Sequence, residues 1–382
     1  LKERKQMNLK DFNGKKLKSA RTFRAKTIEQ LSKETKINKK DLKAFEENKY
    51  VPNIENTLKL SNILNFPKEY FYKNENINVV VEDSHFNPQS KLPRVEEISY
   101  REKIIIIHKI YSFMENYIKF PKENLPSRKV MSDININDIE SLAYKTREFW
   151  DLNSTPIVNM VNLLESKGII ISGMNVDRKW ATIFTQKQRI SKESKYIISL
   201  GNDKKSASIR NYTLACELGY IISSELRIPN KQFSEDEYAC AFLLPKDIFL
   251  EDLIHPEDLD YYVELKKKWI VPISAMIFRA YNLGKINYKK YNYLVNEMDK
   301  KGWLIEEPLD KMKGSSPTYL KRAVELLIEN KIMSVNSIVS SLDEFGINLY
   351  PEDLELLMGL KKGLLSQEVN KKSKVIKFDS KK

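Results

Sequence analysis

The chain has 382 residues, enough for two or three domains with their own cores, and 41% hydrophobic against 31% charged residues fits a folded rather than a disordered protein. Its longest apolar stretches, such as Ile104–Ile107, are too short to span a bilayer, the charged start Leu1–Lys5 lacks the apolar segment of a signal peptide, and two cysteines exclude a disulfide framework, so a reducing cytoplasm is expected. The net charge of +13 sits at the two ends: residues 1–72 hold 18 Lys/Arg and 9 Asp/Glu, residues 361–382 hold 8 Lys and 2 acids, and the stretch between is nearly neutral. Such asymmetry points to a polyanion partner, with simple lysine-based solubility as the rival reading.

From Asp11 to Phe71 the pattern predicts short helices. Leu17, Ala20 and Arg21 mark the first. Thr27 with Gln30 three residues later reads as a capping box opening the second, and Asn38 as the cap of a third that turns Leu42 and Phe45 inward. Asn56 is expected to cap a fourth helix, and Pro67 to start a turn ending in Tyr70-Phe71. Val79–Val81 reads as a strand or extended linker, and Ser84–Pro93, with two prolines, as a domain linker. A long helix is expected over Glu96–Lys119, with His108 packed on its apolar face. From Asn137 the pattern becomes mixed. Helices are expected over Asp138–Trp150 and from Thr155-Pro156 to Lys167-Gly168, strands over Ile169–Ser172, Ala181–Thr185 and Tyr196–Leu200, then helices over Ser206–Ser224 and Glu235–Leu244. Beyond Asp258 the chain reads as helical with breaks at Gly284, Gly302, Pro308, Gly314 and Pro351, and Trp269 as a core residue. Lys371–Lys382 reads as a solvated basic tail.

Two helices joined by a tight turn, the second rich in lysine, suit a major groove. With Leu42 and Phe45 inward, Asn38, Lys39, Lys40 and Lys43 face outward; the lysines can reach guanine edges or phosphates, while Asn38 and the Thr27 hydroxyl can meet phosphates. Lys49, just beyond, completes the candidate contact set. The strings Leu17–Arg21, Thr27–Leu31, Leu42–Glu46, Pro52 and Leu58–Leu64 make this segment resemble the Xre/Cro-like repressor family over about sixty residues. Asn48 stands where that family usually has Gly; the position needs a left-handed backbone, which Asn tolerates next best.

Residues from about Asp138 to Leu365 resemble a second group, Xre-type regulators fused to an ImmA/IrrE-like metallopeptidase domain. The resemblance rests on Pro156–Gly168, Arg210–Tyr220, Phe242–Pro245, Trp269–Val271 with Arg279-Ala280, Gly302-Trp303 with Glu307-Pro308, and Glu352–Leu354 with Gly359-Leu360, in that order. It implies His-Glu-x-x-His at Cys216–Tyr220, two His holding zinc with the Glu as general base. Here only the base, Glu217, remains; Cys216 and Tyr220 replace both His, and the third ligand's register falls within Gln232–Asp236. None of His85, His108 and His255 lies in the stretch. Glu217 is therefore expected to be a vestige, partnered or neutral in an apolar helix, and the purified protein to hold well under one zinc per chain. Cys216 and Cys240 are expected as core cysteines, with a redox pair or unusual metal site as alternatives.

The expected fold is mainly α with a small sheet (α+β). The expected units are a helix-turn-helix domain over 1–75, a linker with the long helix over 76–136, a degenerate peptidase-like domain over 137–256, a helical region over 257–365 and a basic tail over 366–382. The expected function is a transcriptional repressor binding double-stranded operator DNA as a homodimer, with no cofactor and no metal, and with a protein or small-ligand inducer acting on a catalytically inactive peptidase-like domain. The rivals are an active metalloprotease cleaving a repressor through an atypical site, and an antitoxin-like interaction protein whose DNA binding is autoregulatory.

Overall fold

The computed structural model describes residues 12–72, 77–86, 93–174, 183–201 and 206–366. The expected basic tail lies outside them from residue 367 on. The described chain is mainly helical with one small sheet, as expected. No described helix is long and apolar enough to cross a membrane.

Helices α1 (Gly14–Phe23), α2 (Ile28–Thr35), α3 (Lys39–Glu46) and α4 (Ile54–Leu64) form the N-terminal bundle. Leu17, Ala20, Phe23, Leu31, Leu42, Phe45, Leu60 and Leu64 recur at helical spacing and are all buried, which is why four short helices hold together. The fourth is capped by Asn53, whose Oδ1 accepts from the Asn56 N–H at 2.8 Å; the expected cap, Asn56, lies inside the first turn.

Strand β1 (Val79–Phe86) follows, where the sequence reads partly as linker. It pairs antiparallel with β3 (Ile183–Ile190), β3 with β4 (Glu193–Gly201), and β4 runs parallel to β2 (Ile170–Met174), giving the order β1-β3-β4-β2. Between β1 and β2 lie α5 (Arg94–Met114), α6 (Ile139–Phe149) and α7 (Met160–Ser166). Helix α5 stops a turn earlier than expected, where the Asn116 side chain donates back to the Phe113 carbonyl at 2.9 Å. Helix α7 starts at Met160 rather than at Thr155-Pro156, because the Arg147 guanidinium takes the carbonyls of Asn153 and Thr155 and leaves Asn159 to supply the cap.

The sheet divides two cores by simple alternation of its side chains. Ile171, Ile183, Tyr196, Ile198 and Leu200 face the core built on α8 (Ala207–Glu225), α9 (Glu235–Leu243), α10 (Lys246–Asp252), α11 (Tyr261–Trp269), α12 (Ile273–Asn282) and α13 (Tyr288–Lys300), in which Trp269 is fully buried. Ile170, Phe184 and Ile197 face the other way, into a core shared by α5, the N-terminal bundle, α14 (Tyr319–Glu329), α15 (Val335–Glu344) and α16 (Pro351–Met358). His108 is buried in this layer with Nδ1 3.1 Å from Gln188 Oε1, and burial lowers its pKa to about 4. The N-terminal bundle thus packs continuously with the C-terminal helices. Arg24 ties the two: its guanidinium donates to Asp353 of α16 and to the carbonyls of Leu64 and Asn65.

Candidate nucleic-acid interface and the buried groups of α8

The turn between α2 and α3 is Lys36-Ile37-Asn38. Lys36 takes a left-handed backbone (φ 59°), and buried Ile37 pins the turn to the bundle core. The capping box at Thr27 forms as expected: the Gln30 N–H donates to the Thr27 hydroxyl oxygen at 3.1 Å, and the Thr27 N–H to Gln30 Oε1 at 2.8 Å. Asn38 Oδ1 accepts from the Lys40 N–H at 2.9 Å. Both caps use an acceptor; the Asn38 amide hydrogens take no part in the cap, while the Thr27 hydroxyl also bonds the Glu29 carboxylate and, behind the Glu29 backbone N–H and Lys39, helps hold its pKa below the usual range. Asn48 has φ 55°, the left-handed conformation expected of it, and its Oδ1 accepts from the Gly14 N–H at 2.6 Å, a bond that Gly at this position would lack. Gly14 permits the close approach: a Cβ there would lie 2.0 Å from the Phe45 carbonyl oxygen. Arg21 completes the clamp, donating to both carboxylate oxygens of Glu46 at 2.6 and 3.0 Å.

This frame leaves Lys39, Lys40 and Lys43 exposed on the outer face of α3, with Lys49 exposed just after it. The four are not equivalent. Lys39 lies 3.5 Å from Glu29 and Lys49 2.5 Å from Glu47, whereas Lys40 and Lys43 form no ion pair among the described residues. Exposed pairs such as these contribute little to stability.

The stretch singled out on α8 lies in the opposite situation. Cys216, Glu217 and Tyr220 are all buried. The Thr185 hydroxyl of β3 donates to Glu217 Oε2 at 2.6 Å, and burial raises the Glu217 pKa to about 8, so the carboxyl is mostly protonated at neutral pH. The Cys216 thiol lies 3.7 Å from Asp236 Oδ1, which also accepts from the Tyr212 hydroxyl at 2.8 Å. Within Gln232–Asp236, Asp236 is therefore the acid beside Cys216. Burial foremost, then the Asp236 charge, pushes the Cys216 thiol up, and burial pushes Cys240 up to about 12; both are free thiols, and protonated sulfur is a poor ligand and nucleophile.

Two residues that sequence reasoning leaves outside this site come from β1. Tyr220 donates to Asp83 in a short hydrogen bond, and the His85 ring stacks on Tyr220 with centroids 4.1 Å apart. His85 sits opposite Thr185 in the β1–β3 register, so one strand pair places His85 over Tyr220 and Thr185 over Glu217. Burial lowers the His85 pKa, keeping the ring neutral against its neighbour. The donors do not fit a zinc site. The Tyr220 hydroxyl is committed to Asp83, Cys216 is held as a thiol, Glu217 is bonded to Thr185, and among the described residues no group of three or more His, Cys, Asp or Glu is placed to hold a metal ion.

No curated protein and no solved structure matches the chain. Residues 14–77 match the family model of a helix-turn-helix domain, which spans α1–α4 and the turn after them, and the N-terminal module is accordingly a helix-turn-helix domain of the kind found in DNA-binding regulators.

Proposed function

We propose that this protein is a transcriptional repressor that binds operator DNA through α3, with Lys40 and Lys43 reading base edges and Thr27, Asn38, Lys39 and Lys49 holding phosphates. The observation that carries the reading is that Lys40 and Lys43, on the second helix of a helix-turn-helix, are exposed and form no ion pair among the described residues. Side chains that are solvated and unpaired meet a groove at low desolvation cost.

Residues 137–256 are read as an ImmA/IrrE-like peptidase domain that has lost its chemistry and serves as a sensor. Its support is the set of commitments described above, in which every group of the old catalytic stretch is bonded to a neighbour. A homodimer on a palindromic site fits an apolar stripe beside α3, where Tyr50, Val51, Ile54 and Leu58 are all exposed, with Ile54 and Leu58 one turn apart on α4. The test is selection of bound sequences from a random double-stranded library by the full chain. An enriched motif with two inverted half-sites is the expected result; recovery of unenriched sequence would overturn the reading.

A further inference from the structure

Among the described residues the sheet ends at β2, which has β4 on one side only. Beyond that ladder, no backbone group of Ile170–Met174 bonds the backbone of any other described residue. Alternate residues of a strand turn their N–H and C=O to the same side, so about half of these groups point away from β4. An uncovered edge of this kind is a template for another extended chain.

A cleft of about 600 Å³ lies against this edge. Ile171, Ser172 and Gly173 all line it. Successive strand residues point to opposite faces, so three in a row place the cleft along the edge and not over one face. Apolar wall comes from Leu320 of α14, Leu356 of α16 and Leu360 just past α16, with Leu356 41% exposed. The charge of the cleft is one-sided. Its one carboxylate, Glu355, is buried and commits both oxygens to the N–H groups of Leu365 and Gly363, at 2.6 and 2.7 Å. Its one cation, Lys321, is half exposed and stands 3.9 Å from Glu325. Lys361 and Lys362 follow Leu360 at the surface and form no ion pair among the described residues.

We propose that the outer edge of β2 receives an extended segment of a partner protein, added as a further strand and carrying at least one Asp or Glu beside its apolar residues. The edge calls for an extended chain, because only such a chain offers a matching row of N–H and C=O groups. The 5 residues of β2 present about 16 Å of edge, which sets the length of the segment that pairs. Apolar side chains of the segment meet Leu320, Leu356 and Leu360, and its acid meets Lys321, with Lys361 and Lys362 adding to the positive field. The chain's own residues 367–382 are net positive, so the same lysines repel them. The inference goes beyond the DNA-binding reading and does not rest on it.

The experiment uses the full chain without DNA. A displayed library of random short peptides is panned on it, and the enriched peptide, synthesised with a fluorescent label, is titrated by anisotropy. The expected sequence alternates β-branched or aromatic residues, carries an acid and binds at about 100 μM or tighter. Methylating the backbone nitrogens of one alternate set of peptide residues should abolish binding, and methylating the other set should leave it intact, because only one set faces β2. Lys321→Glu should weaken binding about fivefold or more, and a peptide with Lys in place of its acid should recover affinity on that variant. Binding should persist in the Lys40→Ala, Lys43→Ala double variant, so failure of the DNA-binding reading would leave this result standing. No enriched sequence, enrichment without an acid, equal tolerance of both methylated sets, or wild-type affinity in Lys321→Glu would overturn the proposal. So would competition by a synthetic peptide of residues 367–382, which would assign the edge to the chain itself. Dissociation of a dimer of the full chain by Lys321→Glu would overturn it too, by assigning the edge to a second copy.

Discussion

On α3, Lys40 and Lys43 stand exposed and without ion pairs among the described residues, while on α8, Cys216, Glu217 and Tyr220 are buried and each touches a polar neighbour. Both sets sit on helices whose backbones are well capped or well packed, so the difference is not one of order. It is one of availability. A side chain can act on a partner only if binding that partner costs less than what the side chain already has. The lysines give up water; the α8 groups would have to give up Thr185, Asp236 and Asp83 and then find a charge state that burial opposes. Residue types alone thus mark a site, and their commitments decide whether it works.

The exposed helix depends first on the frame that presents it. Gly14→Ala would set a Cβ 2.0 Å from the Phe45 carbonyl oxygen and 2.7 Å from that of Glu46, both rigid backbone. The expected cost is about 3 kcal/mol in urea unfolding, near the top of the usual range, with loss of DNA binding. A variant with unchanged stability would show that α1 and α3 do not meet this closely.

Arg24→Ala tests whether the module is seated on the C-terminal helices. It removes a largely buried ion pair with Asp353 and the hydrogen bonds to the Leu64 and Asn65 carbonyls, and should cost about 2 kcal/mol. An Asp353→Asn partner and the double variant complete a cycle, and additive effects would refute the seam.

Glu217→Gln probes the buried helix. The folded carboxyl has a pKa raised to about 8, above the ordinary value of 4.5 that an unfolded chain would show. Below 4.5 both states hold the proton and nothing is lost. Between about 4.5 and 8 the unfolded state releases it first, so the native protein loses up to about 1.4 kcal/mol per pH unit relative to the variant. Unfolding measured from pH 5 to 8 should show wild type falling against Glu217→Gln; parallel curves would mean that the carboxyl is charged and paired in the fold.

The smallest expected effect is that of Lys36→Gly. Lys36 holds a left-handed φ of 59° in the turn between α2 and α3, a conformation that costs a side-chain-bearing residue about 1 kcal/mol. Glycine should stabilise the module by about 0.5–1 kcal/mol in the same unfolding assay. Destabilisation would assign the Lys36 side chain a packing role.

Much of the N-terminal module is legible in the sequence because its signals are local. Thr27 with Gln30, Asn38 before α3, the inward Leu42 and Phe45, and the left-handed Asn48 each act within a few residues. The α8 stretch is legible for the same reason, as a local string of Cys216, Glu217 and Tyr220 on one helix. What the string does not show is its surroundings. Asp83 and His85 reach Tyr220 through a strand pairing that joins residues about a hundred apart in sequence, and the prolines at 88 and 93 make the neighbouring segment read as a linker. Asp236 becomes the neighbour of Cys216 only when α9 packs on α8. Ladder pairing and helix packing are long-range, and single-sequence periodicity carries no information about them.

One mobility-shift titration on a selected operator sets the two helices directly against each other, comparing wild type with two double variants. Lys40→Ala with Lys43→Ala should weaken specific binding by roughly 1–3 kcal/mol for each base interaction removed. Cys216→Ser with Glu217→Gln should leave the affinity at the wild-type value. Unchanged affinity in the lysine variant, or comparable weakening in the α8 variant, would contradict the claim that function resides in the exposed helix and not in the buried one.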